Sequence, residues 1–301
     1  MKQIIRIGTR DSLLAVAQAE LLQQHIRTNH PEYEVVLVKM KTTGDRILDR
    51  NPYEIGGKGL FVKELDMALY ENRTDLSVHS LKDIPMDVSE DFPILGYSHR
   101  ETPWDVLVLP QGCTKRDPDR PLGTSSPRRR IQLTQLYPDC EIRSVRGNIL
   151  TRLKKLDEGA YGALVLAAAG LCRLGLEHRI SEWYSCGQMV PAAGQGILAV
   201  QGSKDFDRTV LEGFFDRDAE WQALAERSFV SAMGGGCASP TAAYASIDGN
   251  EMTLTGLIAS GQGCETRKGT ITVPKQQAEQ AGIRLARKLL SEVESDNRKR
   301  R

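Results

Sequence analysis

Ile4-Ile-Arg-Ile7, then Ser12 through Ile26, then Tyr33-Glu-Val-Val-Leu-Val-Lys-Met40: this succession decides the fold. The outer pieces are rich in β-branched residues and read as strands. The middle piece sets Leu14, Ala17 and Leu21 at helical spacing, with Asp11 or Ser12 as its cap. Strand, helix, strand in this order is a βαβ unit, and it predicts a mostly parallel sheet with helices on its faces. The rhythm continues outward with a helix over Gly59–Asn72 and strands at Leu76–His79, Ile94–Tyr97 and Val106–Leu109; Thr102-Pro-Trp104 reads as a crossover.

A second round follows. Leu122–Thr124 is a strand, Pro127–Tyr137 a helix with proline in its first turn, and Glu141–Val145 a strand. Asn148 caps a helix through Leu156, and Ala163–Leu166 is a strand. Gly196–Gln201 is strand-like and fits either half; a chain crossing back there would form a hinge. Ser203–Met233 reads as helical. Beyond Thr241 the pattern changes to antiparallel strands at Ala242–Ile247, Met252–Ser260 and Arg267–Val273, then an amphipathic helix over Gln276–Val293. These readings predict two α/β domains, the first over 1–98 and, where the chain crosses back at Gly196–Gln201, 195–215, the second over 103–190, and a small α+β domain over 217–301.

A chain of 301 residues has ample length for such domains. A charged fraction of 26% with 40% hydrophobic residues is that of a soluble globular protein. No apolar run approaches a membrane span, and the first residues lack the apolar core of a signal peptide, so a cytoplasmic protein is expected, with no membrane partner. The net charge of +1 gives no overall field toward nucleic acid, and none is expected as a partner. Six scattered cysteines form no Cys-x-x-Cys pair and no zinc spacing, so no metal is expected.

Chemistry concentrates at strand ends. Gly123-Thr-Ser-Ser-Pro-Arg-Arg-Arg130 offers hydroxyls and free N–H groups at a helix N-terminus and adds three arginines. Cations sit badly there, and a bound anion relieves the conflict. An exposed basic helix face is the alternative. Arg143-Ser-Val-Arg-Gly-Asn148 with Thr151-Arg152, and Thr9-Arg10 with Ser12, place further arginines at similar turns. Ligands of open α/β sheets bind beyond the C-terminal strand ends, so several basic turns suggest a polyanionic ligand. Gly56-Gly-Lys-Gly-Leu-Phe61 lacks P-loop spacing and reads as a loop bringing Lys58 and Phe61 over a cleft, or as a plain helix start. In His79-Ser-Leu-Lys-Asp-Ile-Pro85, Asp83 is a cap, a cation stabiliser or a proton shuttle, and His79 a core or a catalytic histidine. Cys237, in Met233-Gly-Gly-Gly-Cys-Ala-Ser-Pro240, has almost no neighbouring side chains: room for a bulky partner, or a tight interdomain turn.

Together these segments resemble the porphobilinogen deaminase family. The resemblance is carried by Ile7-Gly-Thr-Arg-Asp-Ser12, Thr43-Gly-Asp45, Gly56 through Leu65, His79 through Pro85, Gly123 through Arg129 and Arg143 through Asn148. Ala168-Ala-Gly-Leu171, Pro191-Ala-Ala-Gly-Gln-Gly196 and Gly235-Gly-Cys-Ala-Ser-Pro240 complete it. It implies two lobes like those of type II periplasmic binding proteins, with mixed, mostly parallel sheets, and a small C-terminal α+β domain. It implies a monomer that deaminates four porphobilinogen molecules and joins them head to tail on a dipyrromethane primer, held by a thioether to Cys237. The linear tetrapyrrole, hydroxymethylbilane, is then released by hydrolysis.

The resemblance also implies roles. Asp83 is the catalytic residue, stabilising the cationic methylene-pyrrole as a buried carboxylate. Lys82, Asp83, Thr124, Ser125, Ser126, Arg128, Arg129, Arg146 and Gly147 hold the primer. Arg10, Ser12, Lys58, Phe61, Arg146, Arg152, Arg173 and Gln195 meet the substrate, whose acetate and propionate groups suit arginines. Pro127, where an aliphatic residue is more usual, and the residues flanking Cys237 are looser matches. Two other classes stand beside this reading. A noncatalytic two-lobed binding protein needs neither Cys237 nor Asp83, and a thiol acyltransferase needs a histidine placed to activate Cys237.

Overall fold

The computed structural model describes residues 2–42, 62–235, 240–260 and 265–299. Lys58, Phe61 and Cys237 therefore lie outside the described residues. The chain divides into two compact units, 1–101 with 196–220 and 102–195 with 221–301. Residues 221–301, expected as part of a domain of their own, belong to the second unit.

The first unit contains β1 (Gln3–Arg10), α1 (Leu13–Asn29), β2 (Tyr33–Met40), α2 (Lys63–Tyr70), β3 (Leu76–Ser80) and β4 (Ile94–Tyr97). After the chain returns it adds β10 (Leu198–Gly202). The sheet order is β2-β1-β3-β10-β4. β1 pairs in parallel with β2 and β3, whereas β10 runs antiparallel to β3 and β4. Ser12 caps α1 by accepting from Ala15 N at 3.3 Å, worth about 1 kcal/mol. The helix buries Ala15, Gln18, Ala19, Leu22 and Ile26. This is a correction to the face anticipated from Leu14, Ala17 and Leu21, of which Leu21 is 49% exposed. Both stripes are apolar, and the one carrying small alanines lets the helix approach the sheet more closely. Leu22 and Ile26 pack with Ile5, Ile7, Val35, Leu76, Val78 and Val200 in one core, and full burial of each stabilises by about 2 kcal/mol.

The second unit contains β5 (Asp105–Val108), β6 (Leu122–Gly123), α3 (Pro127–Leu136), β7 (Ile142–Arg143) and α4 (Ile149–Asp157). β8 (Ala163–Ala167), α5 (Ala168–Cys172) and β9 (Glu182–Trp183) follow. Its order, β7-β6-β8-β5-β9, matches the first sheet position for position. In each sheet the fourth strand is the one formed just after the chain crosses over: β10 in the first, β5 in the second. That exchange explains why Gly196–Gln201 could not be assigned from local pattern. It also makes both sheets mixed, with parallel pairing at only half of the junctions.

A long helix, α6 (Arg217–Ala232), leads to β11 (Ala242–Asp248), β12 (Glu251–Ser260), β13 (Glu265–Pro274) and α7 (Ala278–Lys299). The three strands form an antiparallel sheet. A Cβ on Gly256 would lie 2.5 Å from the Phe229 ring, so glycine there lets α6 lie against β12. Within the unit, the Trp104 and Tyr244 rings meet at a tilt of 53° with centroids 5.0 Å apart, and Lys268 Nζ donates to Cys186 O at 2.8 Å. The helix expected over Ser203–Met233 is only its second half. Ser203 to Asp216 forms a short 3-10 turn (Arg208–Leu211) and loop whose Phe206, Phe214 and Phe215 pack on the first core. Gly213, with φ +79°, breaks the helical path. No helix among the described residues is long and apolar enough to cross a membrane.

Candidate active site

In the first unit the C-terminal ends of the neighbouring parallel strands β1 and β3 carry Arg10 and the turn Leu81–Asp83. Ser12 lies just beyond Arg10, its hydroxyl engaged as the α1 cap. Leu81 N donates to Ile197 O at 3.0 Å, and Ser80 Oγ takes Gln18 Nε2 at 2.9 Å. The turn bearing Lys82 and Asp83 is thus anchored to the returning strand and to α1. Asp83 is exposed, a correction to the buried carboxylate expected from the resemblance. It ends a one-turn 3-10 helix beyond the sheet, so its carboxylate reaches past the packed layer.

His79, four residues earlier, is buried on β3. Its pKa is lowered to about 4 by burial, and by the positive charge of Arg10, against a hydrogen bond with Gln201. It is a neutral core histidine, and its Nε2 has no hydrogen-bond partner. Asp66 also bonds to Gln201, and burial raises its pKa.

In the second unit the turn after β6 sets the remaining residues. Thr124, buried, takes Ser126 N on its Oγ1 at 3.3 Å, and Ser126 caps α3 by accepting from Arg129 N at 3.4 Å. Ser125 Oγ donates to Val145 O at 2.6 Å, accepts from Val145 N at 3.1 Å and lies 2.8 Å from Ser144 Oγ. This hydroxyl welds the 124–126 turn to the 144–148 turn. Gly147 has φ +108°, and its carbonyl accepts from Arg152 Nε at 2.8 Å. Arg146 and Arg152 are half-buried at that turn, and Arg173 is half-buried just after α5.

The three consecutive arginines separate. Arg130 is exposed and donates to Ile142 O at 2.8 Å. Arg128 and Arg129 turn inward onto Asp105, which is fully buried at the start of β5. Arg128 Nη1 donates to Asp105 Oδ2 at 2.6 Å, and Arg129 Nε to Oδ1 at 2.9 Å. Gln195, also buried, gives its amide protons to Asp105 Oδ1 at 3.0 Å and Pro103 O at 2.6 Å. Burial raises the pKa of Asp105, but the charges of Arg128 and Arg129 and the hydrogen bonds from Arg128 and Gln195 more than offset it. They hold the carboxyl well below the usual range. Sequence reading expected these arginines to await an outside anion; the structure supplies an internal one. Its signal was a lone acid opening the apolar run Asp105-Val-Leu-Val108.

Glu226 was also missed, hidden within a helix pattern. It is fully buried, accepting from Gly194 N and Ala245 N, each at 2.7 Å. It ties the end of the second lobe to β11, and thereby fixes the strand that begins just after Pro240.

The candidate residues described lie in both units: Arg10, Ser12, Lys82 and Asp83 at the strand ends of the first, and Thr124 through Arg129, Arg146, Gly147, Arg152, Arg173 and Gln195 in the second. The guanidiniums of Arg128 and Arg129, gathered on Asp105 at the start of α3, are a donor set of the kind that carboxylates such as those of a dipyrromethane require. The N–H groups at the start of α3 point the same way.

The family model "Porphobilinogen deaminase, dipyromethane cofactor binding domain" matches residues 5–211, and "Porphobilinogen deaminase, C-terminal domain" matches residues 221–291. A porphobilinogen deaminase of Acetivibrio thermocellus is 51% identical over 95% of this chain and 98% of its own. One from Alkaliphilus oremlandii is 50% identical over 96% of this chain and 98% of its own. Among solved structures, the BenM effector-binding domain with benzoate is similar at a TM-score of 0.42 and 14% identity, over 70% of this chain and 88% of that one. With both family domains matched in order and half of its residues shared with full-length relatives, the chain belongs to the porphobilinogen deaminase family.

Proposed function

We propose that this chain deaminates four porphobilinogen molecules and joins them head to tail on a dipyrromethane primer, releasing hydroxymethylbilane for tetrapyrrole biosynthesis, with Asp83 as its catalytic residue and Cys237 as the anchor. The observation that carries this reading is the excess of guanidinium over carboxylate at the N-terminus of α3, in a chain with a net charge of only +1. Such an excess suits a ligand bearing several carboxylates. When bound, the dipyrromethane supplies the free α-carbon on which the chain of rings is extended.

The protein's own residues do the rest. Arg128 and Arg129, with Thr124, Ser126 and the α3 N-terminus, hold carboxylates on the second unit. Ser125 and Gly147 fix the shape of that turn, and Arg146, Arg152 and Arg173 receive further carboxylates from incoming rings. Arg10 orients the substrate beside Asp83, and Lys82 holds a primer carboxylate there. As ammonia leaves, positive charge develops on the methylene carbon, and the Asp83 carboxylate opposes it while accepting a pyrrole N–H. Because Asp83 is exposed, that stabilisation gains strength only when the bound ring displaces water from it. We place this monomeric enzyme in the cytoplasm, with porphobilinogen as its small-molecule partner and no nucleic-acid partner.

The reading is tested by supplying purified protein with porphobilinogen and following ammonia release and linear tetrapyrrole together. Both should rise in a fixed ratio of four to one, from the four rings joined per product. Tight binding of porphobilinogen with neither product would favour the noncatalytic two-lobed binding protein and overturn the enzyme reading.

A further inference from the structure

Asp105 is engaged far beyond the needs of one ion pair. Its Oδ1 takes Arg129 Nε at 2.9 Å, Arg129 Nη2 at 2.8 Å, Arg128 Nη2 at 3.3 Å and Gln195 Nε2 at 3.0 Å, while Oδ2 takes Arg128 Nη1 at 2.6 Å. Each guanidinium has a second anchor on the main chain: Arg128 Nη1 on Val190 O at 2.8 Å, and Arg129 Nη1 on Val165 O at 2.9 Å. Successive residues of an α-helix point about 100° apart, so Arg128 and Arg129 would ordinarily diverge. Sharing one carboxylate turns both heads to a common place. The arginines are 4% and 7% exposed and Asp105 is 0% exposed, which makes the arrangement stiff. Removing one partner from such a cluster leaves charges that the interior does not solvate.

We propose that Asp105 is a positioning residue for the tetrapyrrole-forming reaction. It locks Arg128 and Arg129 side by side at the α3 N-terminus, two guanidiniums on one carboxylate, so that a pyrrole carboxylate meets preset donors rather than two mobile cations. Preset geometry of this kind lowers the ordering cost of binding. The inference rests on the assignment of Arg128 and Arg129 to the primer.

Asp105→Asn keeps the shape and removes the charge, and charge and positioning then predict opposite outcomes. If the cluster acts by charge alone, its surplus grows and anions bind at least as well. If Asp105 positions the arginines, anions bind worse. The fraction of folded chains carrying primer, read by intact mass, should fall at least threefold below wild type. The KM for porphobilinogen on the chains that do carry primer should rise at least fivefold. An equal or higher primer-bearing fraction, or an unchanged or lower KM, would overturn the proposal. If Asp105→Asn does not fold, Asp105→Asn with Arg129→Gln restores the native surplus, and Arg129→Gln alone is its reference. The double variant should then load less primer than the single one; equal or greater loading sinks the idea. Wild-type protein that carries no added mass and makes no tetrapyrrole would instead refute the function and primer assignment beneath it.

Discussion

Gly147→Ala probes the turn that joins the two arginine clusters of the second unit. Gly147 has φ +108°, and a Cβ there would lie 2.6 Å from Thr151 Cγ2 and 2.7 Å from Thr151 Cβ. Thr151 cannot easily move aside, because its N and Oγ1 both donate to Asn148 Oδ1, at 2.9 Å and 3.0 Å. The left-handed backbone costs roughly 1–2 kcal/mol, and the forced overlap adds about 1–3 kcal/mol. At roughly 2–4 °C per kcal/mol, the thermal midpoint should fall by roughly 4–20 °C. Gly112→Ala is the matched control: φ is +81° and nothing lies within 4 Å of the new Cβ, so only the backbone cost remains. The turn can relieve the overlap by shifting, but the Gly147 carbonyl then leaves Arg152 Nε, now 2.8 Å away. With that contact to Arg152 lost, KM for porphobilinogen should rise on the order of 10-fold, equivalent to about 1.4 kcal/mol. Calorimetry and steady-state kinetics on the two variants decide the matter. Equal loss of midpoint in both, with KM for Gly147→Ala within about twofold of wild type by the same conversion, would refute the reasoning.

Two further outcomes are expected. Asp83→Ala should keep its thermal midpoint and still carry primer while turnover nearly vanishes; near-normal turnover would remove Asp83 from its role. His79 gives a pH signature. Its folded pKa of about 4 lies below the unfolded 6.5, so its stabilisation is complete above pH 6.5 and declines as pH falls toward 4. Between pH 7 and pH 5 that decline is about 2 kcal/mol. The raised pKa of Asp66 acts in the opposite sense, so the comparison must be between wild type and His79→Gln. The variant should lose less stability over that interval, and an identical decline in both would contradict the assignment of a buried neutral ring.

Much of this architecture was legible because hydrophobic period and burial coincide. Tyr33–Met40, rich in valine, reads as a strand and is one, and Asn148 caps its helix as its position before an apolar run suggests. Where the pattern was ambiguous, tertiary contacts decided. α1 had two usable apolar stripes, and close packing of alanines selected one. Val210, Leu211, Phe214 and Phe215 mimic helical spacing, yet Gly213 and the bridge from Phe215 to Ser98 hold that segment as a loop. β9, at Glu182–Trp183, is two exposed residues without any period, defined only by its pairing with β5. At the site, the arginines and Asp83 were visible as residue types at strand ends. Their partners were not, because Asp105 stands 23 residues from Arg128 in the chain and Gln195 lies 90 residues from Asp105. Local spacing carries no record of such contacts.

The central claim is a primer covalently held by Cys237. Intact mass of the purified, active protein, followed by peptide mapping, tests it most directly. The account predicts an excess over the sequence mass equal to two linked pyrrole units, on the peptide that contains Cys237 and absent from Cys237→Ser. An active preparation with the unmodified sequence mass, or with the excess on another peptide, would contradict it.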